Sequence, residues 1–154
     1  VVQHLQQHVE GIRMRPFDLV EQVSLVGPAL HGFFEHPAHV FDGIARGGHG
    51  QAIIRVHGIK IYSTNLNEGR VFMIIHPENI VISKNSILTS ARNSFKGKIC
   101  EISKIPRREG IIKVVADVGI PLAVFITKQA FEELNLGIND KIYVYFKANE
   151  VYVF

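Results

Sequence analysis

Residues 111–127 read IIKVVADVGIPLAVFIT, and their pattern predicts two consecutive β-strands. Apolar side chains alternate with other residues from Ile112 to Val118 and again from Leu122 to Ile126, which is the period of a strand with one buried face. Gly119 lies between the two runs, where the chain is expected to turn. These seventeen residues therefore indicate a fold built on β-strands.

The residues around this pair extend the β pattern and add one helix. Thr127 is a typical N-cap residue, and it predicts a short helix with an apolar face at Ala130, Phe131 and Leu134 that ends at Gly137. Further alternating runs predict strands at residues 95–102, with a bulge or kink at Gly97, and at residues 142–147 and 151–154. Three strands, a helix and two strands are typical of a small barrel of the OB type.

The first half of the chain predicts a smaller β segment. Residues 53–62 indicate a hairpin around the turn His57-Gly58, and residues 70–75 and 80–83 indicate two more strands. Residues 1–50 are irregular, with short helices conceivable near residues 18–26 and 30–34. We therefore expect a mainly β protein with three regions, which are an irregular region at 1–50, a β segment at 51–86 and the barrel at 87–154.

Composition narrows the class of protein. The chain has 154 residues, of which 47% are hydrophobic, and a formal charge of +3. Lys and Arg number 7 up to residue 86 and 10 after it, whereas Asp and Glu number 7 in each part, so the basic excess lies in the barrel and favours an anionic partner. No apolar run is long enough to cross a bilayer, and no signal segment opens the chain. We expect a cytoplasmic protein without membrane insertion.

The sequence lacks the residue patterns that nucleotide-binding and metal-binding sites require. A phosphate-binding loop of the form G-x-x-x-x-G-K-[ST] is absent, and the glycine-rich run at residues 47–50 has no lysine behind it. The histidine pairs His4/His8 and His36/His39 have no third ligand at a useful spacing. We therefore expect no ATP site, no metal site, no catalytic residues and no enzymatic activity.

Two short stretches are rich in hydrogen-bond donors. The first contains Ser90, Arg92 and Asn93, and the second contains Lys147 and Asn149. A tetrahedral dianion only accepts hydrogen bonds, so a site for it needs many donors, one or two positive charges and no carboxylate. Both stretches fit that requirement, although spacing alone favours solvated surface charges.

The barrel region resembles a known family. The segments SARNSFKGKI (90–99), VGIPL (118–122), IT (126–127), ELNLG (133–137) and YFKA (145–148) are similar to those of Mop, or TOBE, domains that bind molybdate. Residues 71–84, with PENIVIS at 77–83, resemble the segment that precedes this domain in molybdate or tungstate ABC-transporter ATPases. Residues 21–23 and 34–38, with Phe41, resemble more weakly the exit from the ATPase domain. The chain thus resembles the C-terminal regulatory part of such a subunit without the ATPase domain.

This resemblance implies a function and a site. In the family, a tetrahedral oxyanion is held at a subunit interface by the S-A-R-N segment of one chain and the K-A-[ST] segment of its neighbour. The oxyanion-binding residues implied here are Ser90, Ala91, Arg92, Asn93, Lys147, Ala148 and Asn149. Asn149 departs from the Ser or Thr of the family, and His76 replaces its usual Arg.

The resemblance therefore implies a molybdate- or tungstate-binding module. Its ligand would bridge two copies of the chain, in a homo-oligomer that is expected to be a dimer, and its role would be restraint of import beside the components of an ABC transporter, or storage. Two other hypotheses stay open. One is an OB-type nucleic-acid binder that uses Tyr143, Tyr145 and Lys147, and the other is a truncated structural remnant.

Overall fold

The computed structural model of the protein describes residues 39–154, which form two five-stranded antiparallel sheets and one short helix. The mainly β class that the sequence predicts is confirmed. The strands are β1 (His39–Gly48), β2 (Gln51–Val56), β3 (Ile59–Ser63), β4 (Gly69–Ile75), β5 (Val81–Ser83), β6 (Asn93–Lys104), β7 (Ile111–Asp117), β8 (Pro121–Thr127), β9 (Lys141–Phe146) and β10 (Val151–Val153). The remaining elements are the helix α1 (Lys128–Glu133) and two 3-10 helices, η1 (Pro77–Asn79) and η2 (Ala148–Glu150).

Tight turns organise the first sheet, whose strand order is β10-β4-β1-β2-β3. His49-Gly50 joins β1 to β2 and His57-Gly58 joins β2 to β3, and all four residues have a positive φ. Two consecutive positive φ values are the geometry of the two-residue turn that matches the twist of a hairpin. The hairpin predicted around His57-Gly58 is therefore confirmed.

The second sheet has the strand order β5-β9-β6-β7-β8. Its centre is the pair predicted from residues 111–127, which forms β7 and β8 in antiparallel register. Thr127 caps α1 as predicted, since its hydroxyl accepts a hydrogen bond of 3.1 Å from the backbone N–H of Ala130. The predicted end at Gly137 is wrong, because the helix ends at Glu133, and Asn135, with a φ of 48°, adopts the left-handed conformation that is common after helix ends.

The two sheets repeat one plan. Three antiparallel strands are followed by a fourth strand that pairs with the first, then by a 3-10 helix and a short fifth strand. We name residues 39–83 the first unit and residues 93–153 the second unit. The pairs His39–Ile75 and Asn93–Phe146 join the first residue of the first strand to the last residue of the fourth strand in each unit. Ile75 and Phe146 are therefore equivalent positions.

The fifth strands are exchanged between the units. β5 of the first unit pairs with β9 of the second, where Val81 lies opposite Tyr145. β10 of the second unit pairs with β4 of the first, where Tyr152 lies opposite Ile74. The sequence predicted β10 as a strand, but the alternation within a strand carries no information about its pairing partner.

A single hydrophobic core joins the units. One cluster of buried residues includes Ile54, Ile61 and Met73 from the first unit and Leu122 and Phe146 from the second, all no more than 1% exposed. The 3-10 helices complete the barrels, because η1 packs on β8 and η2 on β3. Each barrel thus depends on residues from the other unit.

Two further sequence predictions need correction. The first is that residues 1–50 lie outside the β structure, which is wrong for residues 39–48 because they form β1. The glycines in this stretch hide the alternation of apolar and polar residues. Gly43 allows β1 to approach β2 closely, since a Cβ at this position would lie 2.7 Å from Ile54 Cγ2 and 2.8 Å from the carbonyl oxygen of Arg55. The helices conceived near residues 18–26 and 30–34 lie outside the described residues. The division of the chain at residues 50 and 86 stays a prediction.

The second correction concerns the bulge in β6. It falls between Ile99 and Glu101 and not at Gly97. Gly97 serves another purpose, because a Cβ there would lie 2.6 Å from the carbonyl oxygen of Asp117, closer than any non-bonded carbon–oxygen contact permits. Within residues 39–154, no helix has the length and apolar character that a bilayer crossing requires.

Candidate functional site

The two donor-rich stretches meet at one end of the second sheet. β6 begins at Asn93 and β9 ends at Phe146, and these residues lie opposite each other in the antiparallel register. The residues just outside this pair are Arg92 and Lys147, so both stretches leave the sheet at the same edge. We name residues 90–93 and 147–149 the donor edge. The meeting takes place within one chain.

Asn93 holds the donor edge against the first sheet. Its side chain is 1% exposed, its Oδ1 accepts a 2.8 Å hydrogen bond from the backbone N–H of Tyr62, and its Nδ2 donates a 2.9 Å bond to the backbone oxygen of Tyr62. The amide therefore replaces a strand residue beside β3. Two of its hydrogen-bonding positions are filled, which makes Asn93 chiefly a structural residue where the sequence implied a ligand.

Arg92 is exposed and held above an aromatic ring. Its Cζ lies 5.3 Å from the centroid of the Tyr62 ring, a cation–π distance. One guanidinium nitrogen donates a 3.4 Å hydrogen bond to Oε1 of Gln51. No carboxylate within residues 39–154 forms an ion pair with Arg92. Its charge is therefore positioned but not neutralised.

Ser90 and Ala91 differ in what they can offer an anion. Ser90 is exposed, and no hydrogen bond of its hydroxyl is formed within the described part of the chain. The backbone N–H of Ala91 donates a 3.3 Å bond to Oγ1 of Thr89. The hydroxyl of Ser90 is thus the freer donor of the two.

The second stretch begins the 3-10 helix η2. Lys147 and Asn149 are exposed, whereas Ala148 is 5% exposed and its carbonyl oxygen accepts a 3.3 Å bond from the backbone N–H of Thr64 in the first unit. The Lys147 ammonium forms no ion pair within residues 39–154. Ala148 therefore anchors the stretch, and its neighbours present their side chains to solvent.

A carboxylate lies closer to the donor edge than the sequence predicted. Glu150 Oε2 accepts a 3.4 Å hydrogen bond from the backbone N–H of Lys147. The expectation that this stretch has no acidic neighbour is wrong, because Glu150 occupies the third position of η2 and reaches back to its start, as acidic residues do at helix N-termini. Because the backbone N–H of Lys147 is bonded to Glu150, the ammonium is the group of Lys147 that can donate hydrogen bonds to an anion.

The predicted nucleic-acid face is not available for stacking. Tyr145 is 3% exposed, and its hydroxyl accepts a 3.0 Å bond from the backbone N–H of Ile87. Tyr143 is half-buried. Single-stranded nucleic acids need exposed aromatic faces, so the arrangement of these tyrosines argues against that hypothesis.

The equivalent edge of the first unit has different chemistry. His76 follows Ile75 as Lys147 follows Phe146, and its ring contacts Tyr152 edge to face at 5.6 Å between centroids. Burial lowers the pKa of His76 from its usual value of 6.5, although Glu78 partly opposes this shift. Glu78 stands where the second unit has Asn149, and it accepts a 2.6 Å bond from Arg108. A neutral imidazole and a carboxylate disfavour the binding of an anion at this edge.

Sequence reasoning missed three residues that contact the donor edge, namely Gln51, Tyr62 and Glu150. Gln51 and Tyr62 belong to the first unit, and their proximity to Arg92 depends on the packing of the two units, for which the sequence carries no signal. The position of Glu150 could have been inferred from the sequence, because an acidic residue three positions after the start of a helical turn commonly caps that turn. Within residues 39–154, no group of His, Cys, Asp and Glu could hold a metal ion.

The fold and the donor edge define a class: a pair of interlocked OB-like barrels with an exposed cationic edge. Residues 89–153 match the TOBE domain model. Two curated relatives, both described as molybdate/tungstate import ATP-binding protein WtpC, come from Pyrococcus abyssi and Pyrococcus horikoshii. Each is 31% identical over 117 residues, which is 75% of this chain and 32% of the relative.

The chain thus spans about a third of the length of these relatives. Its structure is also similar to a crystal structure of the cytoplasmic molybdate-binding protein ModG with molybdate bound, with a TM-score of 0.62 and 18% identity. The similarity covers 78% of this chain and 98% of ModG. It therefore includes both units, and it confirms the OB-like fold.

Proposed function

We propose that the chain is a non-enzymatic module that binds molybdate or tungstate at the donor edge. The observation that carries the proposal is the meeting of Arg92 and Lys147 at one edge with neither charge paired within residues 39–154. The similarity to WtpC, whose name gives molybdate and tungstate, and to ModG, which is described as molybdate-binding, supports the choice of ligand. The ligand set proposed is Arg92, Lys147, Ser90 and Asn149, with the remaining N–H of Asn93 and the backbone around Ala91 and Ala148.

The energetics favour a site shared by two copies. A micromolar dissociation constant corresponds to about 8 kcal/mol, and a hydrogen bond to a charged group contributes about 1.5–3 kcal/mol. Arg92 and Lys147 of one chain would supply about 3–6 kcal/mol on that scale, and their exposure leaves a bound ion in contact with water. A second donor edge facing the first would add donors and exclude solvent. We therefore propose a homo-oligomer, with a dimer as its simplest form.

This arrangement would link ligand binding to assembly. A ligand that binds the paired state must stabilise it by the same free energy. Beside the components of an ABC transporter, such a linkage would report the oxyanion supply and restrain import, and apart from them it would serve storage. The similarity to ModG, which is described as cytoplasmic, supports a location in the cytoplasm.

Calorimetric titration with molybdate, tungstate and sulfate tests the proposal. We expect both metal oxyanions to bind, sulfate to bind more weakly, and Arg92→Ala to lose at least about tenfold in affinity, equivalent to about 1.4 kcal/mol. Lys96→Ala is the matched control, because it removes one exposed positive charge from β6, the strand that begins directly after Arg92. Sedimentation with and without molybdate measures the linkage to assembly.

The outcomes separate the hypotheses. If neither molybdate nor tungstate binds to the folded, assembled protein, the proposal is wrong and the truncated remnant is favoured. If an oligonucleotide binds in a salt-sensitive way that molybdate does not affect, the nucleic-acid hypothesis replaces it.

A further inference from the structure

A second cationic surface lies at the far end of β6. The loop between β6 and β7 and the start of α1 enclose an open cleft of about 500 Å³, which we name the basic cleft. Its lining includes Lys104, Arg107, Arg108 and Lys128, with Ile105 and Ile112. β6 runs from Asn93 to Lys104, a path of up to roughly 35 Å at about 3.3 Å per residue, and the cleft and the donor edge lie at its opposite ends. The basic cleft is therefore separate from the donor edge.

The charges of the cleft are only partly paired. Arg108 is bound to Glu78 at 2.6 Å, and Lys128 lies 3.9 Å from Glu132 in an exposed pair, which contributes little. Lys104 and Arg107 are exposed and form no ion pair within residues 39–154. Among the described residues, Glu109 is the one carboxylate that lines the cleft. The surface therefore keeps a positive excess.

The cleft is built by segments that the first unit lacks. There the equivalent connection is the two-residue turn His49-Gly50. In the second unit, the loop turns through positive φ values at Arg107 and Gly110. The backbone N–H of Lys128 donates a 2.8 Å bond to the carbonyl oxygen of Gly110. The loop and the helix thus form one ordered wall.

We propose that the basic cleft binds a small phosphate-bearing anion that also carries an apolar or aromatic group. The cations are suited to phosphate oxygens, which accept charge-assisted hydrogen bonds. Ile112, which is 9% exposed, and the half-buried Ile105 offer an apolar surface beside them. The volume lies in the range of small-molecule sites, and none of the residues 39–154 that line the cleft is aromatic, which disfavours a stacked single strand. This inference does not depend on the oxyanion proposal.

Titration of the whole chain with ADP and with inorganic pyrophosphate tests the proposal. We expect ADP to bind more tightly than pyrophosphate, because only ADP has a group for the isoleucines to contact. Lys104→Ala combined with Arg107→Ala is expected to lower the affinity for both ligands by about tenfold or more. Arg108 is kept so that its bond to Glu78 survives. Ile105→Ser is expected to weaken ADP alone.

The matched control is Lys96→Ala combined with Lys98→Ala, which removes two exposed charges from the other end of β6. It is expected to leave both affinities within about twofold. Three results would overturn the proposal: no binding of either ligand at millimolar concentration, equal losses in the cleft variant and in the control, or displacement of ADP by a single-stranded oligonucleotide that binds more tightly. Arg92→Ala should weaken molybdate binding and leave ADP binding unchanged, so the two proposals fail independently.

Discussion

The two units share a backbone plan but differ where their fourth strands end. In the second unit, Phe146 is followed by Lys147, Ala148 and Asn149, two of which expose polar side chains. In the first, Ile75 is followed by His76, Pro77 and Glu78, which supply a half-buried ring, a buried proline and a carboxylate bound to Arg108. Packing requirements are therefore repeated in both units, whereas the chemistry suited to an anion is present in one.

The repeated packing can be tested at Gly43 and Gly97. Each lies where a Cβ would press on a backbone carbonyl of the neighbouring strand, at 2.8 Å from Arg55 and 2.6 Å from Asp117. The neighbouring strand would have to shift to make room for the new methyl group. Gly43→Ala and Gly97→Ala should therefore each lower the free energy of unfolding by up to about 3 kcal/mol. Urea denaturation measures both.

Gly48→Ala is the control, since no atom lies within 4 Å of its added Cβ, and we expect a change of less than about 0.5 kcal/mol. A loss at Gly97 without one at Gly43 would show that the two units are not equivalent in packing.

The contact between the units can be tested at Asn93. Asn93→Ala removes both hydrogen bonds to the backbone of Tyr62 and should lower stability by about 2 kcal/mol, because the partner groups lose their bonds. Asn149→Ala is the control, and as an exposed residue it should change stability by less than about 0.5 kcal/mol. Equal effects of the two variants in urea denaturation would contradict the structural role of Asn93.

The difference in chemistry can be removed by giving the second unit the residues of the first. Lys147→His combined with Asn149→Glu should weaken molybdate binding at pH 7.5 by at least about tenfold, or about 1.4 kcal/mol. The change removes a positive charge and adds a negative one beside the anion. Calorimetry measures the loss, with the exposed Lys141→His as the control, and unchanged affinity would disprove the role assigned to this edge.

The smallest effect concerns His76 and pH. Burial lowers its pKa below 6.5 in the folded state, so the unfolded chain takes up a proton first as the pH falls. Stability should therefore decrease as the pH falls from about 7.5 through 6.5 toward the lower folded pKa. His76→Gln should reduce this dependence, as measured by urea midpoints at pH 5.5 and 7.5. The exposed His57→Gln should retain it, and identical slopes in the two variants would contradict the assignment.

The local elements of the fold could be predicted because they depend on neighbouring residues. The alternation at residues 111–127, the turn at His57-Gly58 and the cap at Thr127 are all encoded over a few positions, and all are present. The exchange of β5 and β10 could not be predicted, since strand pairing depends on contacts distant in sequence. β1 was missed because its glycines serve close packing that appears only once β2 is beside it.

The candidate site follows the same division. The sequence and the resemblance named Arg92 and Lys147, and the register brings them to one edge. The use of the Asn93 amide as a brace could not be predicted, because its partner Tyr62 lies 31 positions away. The ligand roles themselves stay predictions.

The reciprocal placement of β5 and β10 bears on how the protein melts. The fifth strand of each unit is hydrogen-bonded to the sheet of the other unit. Partial unfolding of one unit therefore removes a strand from the other sheet and exposes its interior. Residues 39–154 are thus expected to denature in one calorimetric transition, and a fragment cut at residue 86 would take β5 from the second barrel and leave the first without β10.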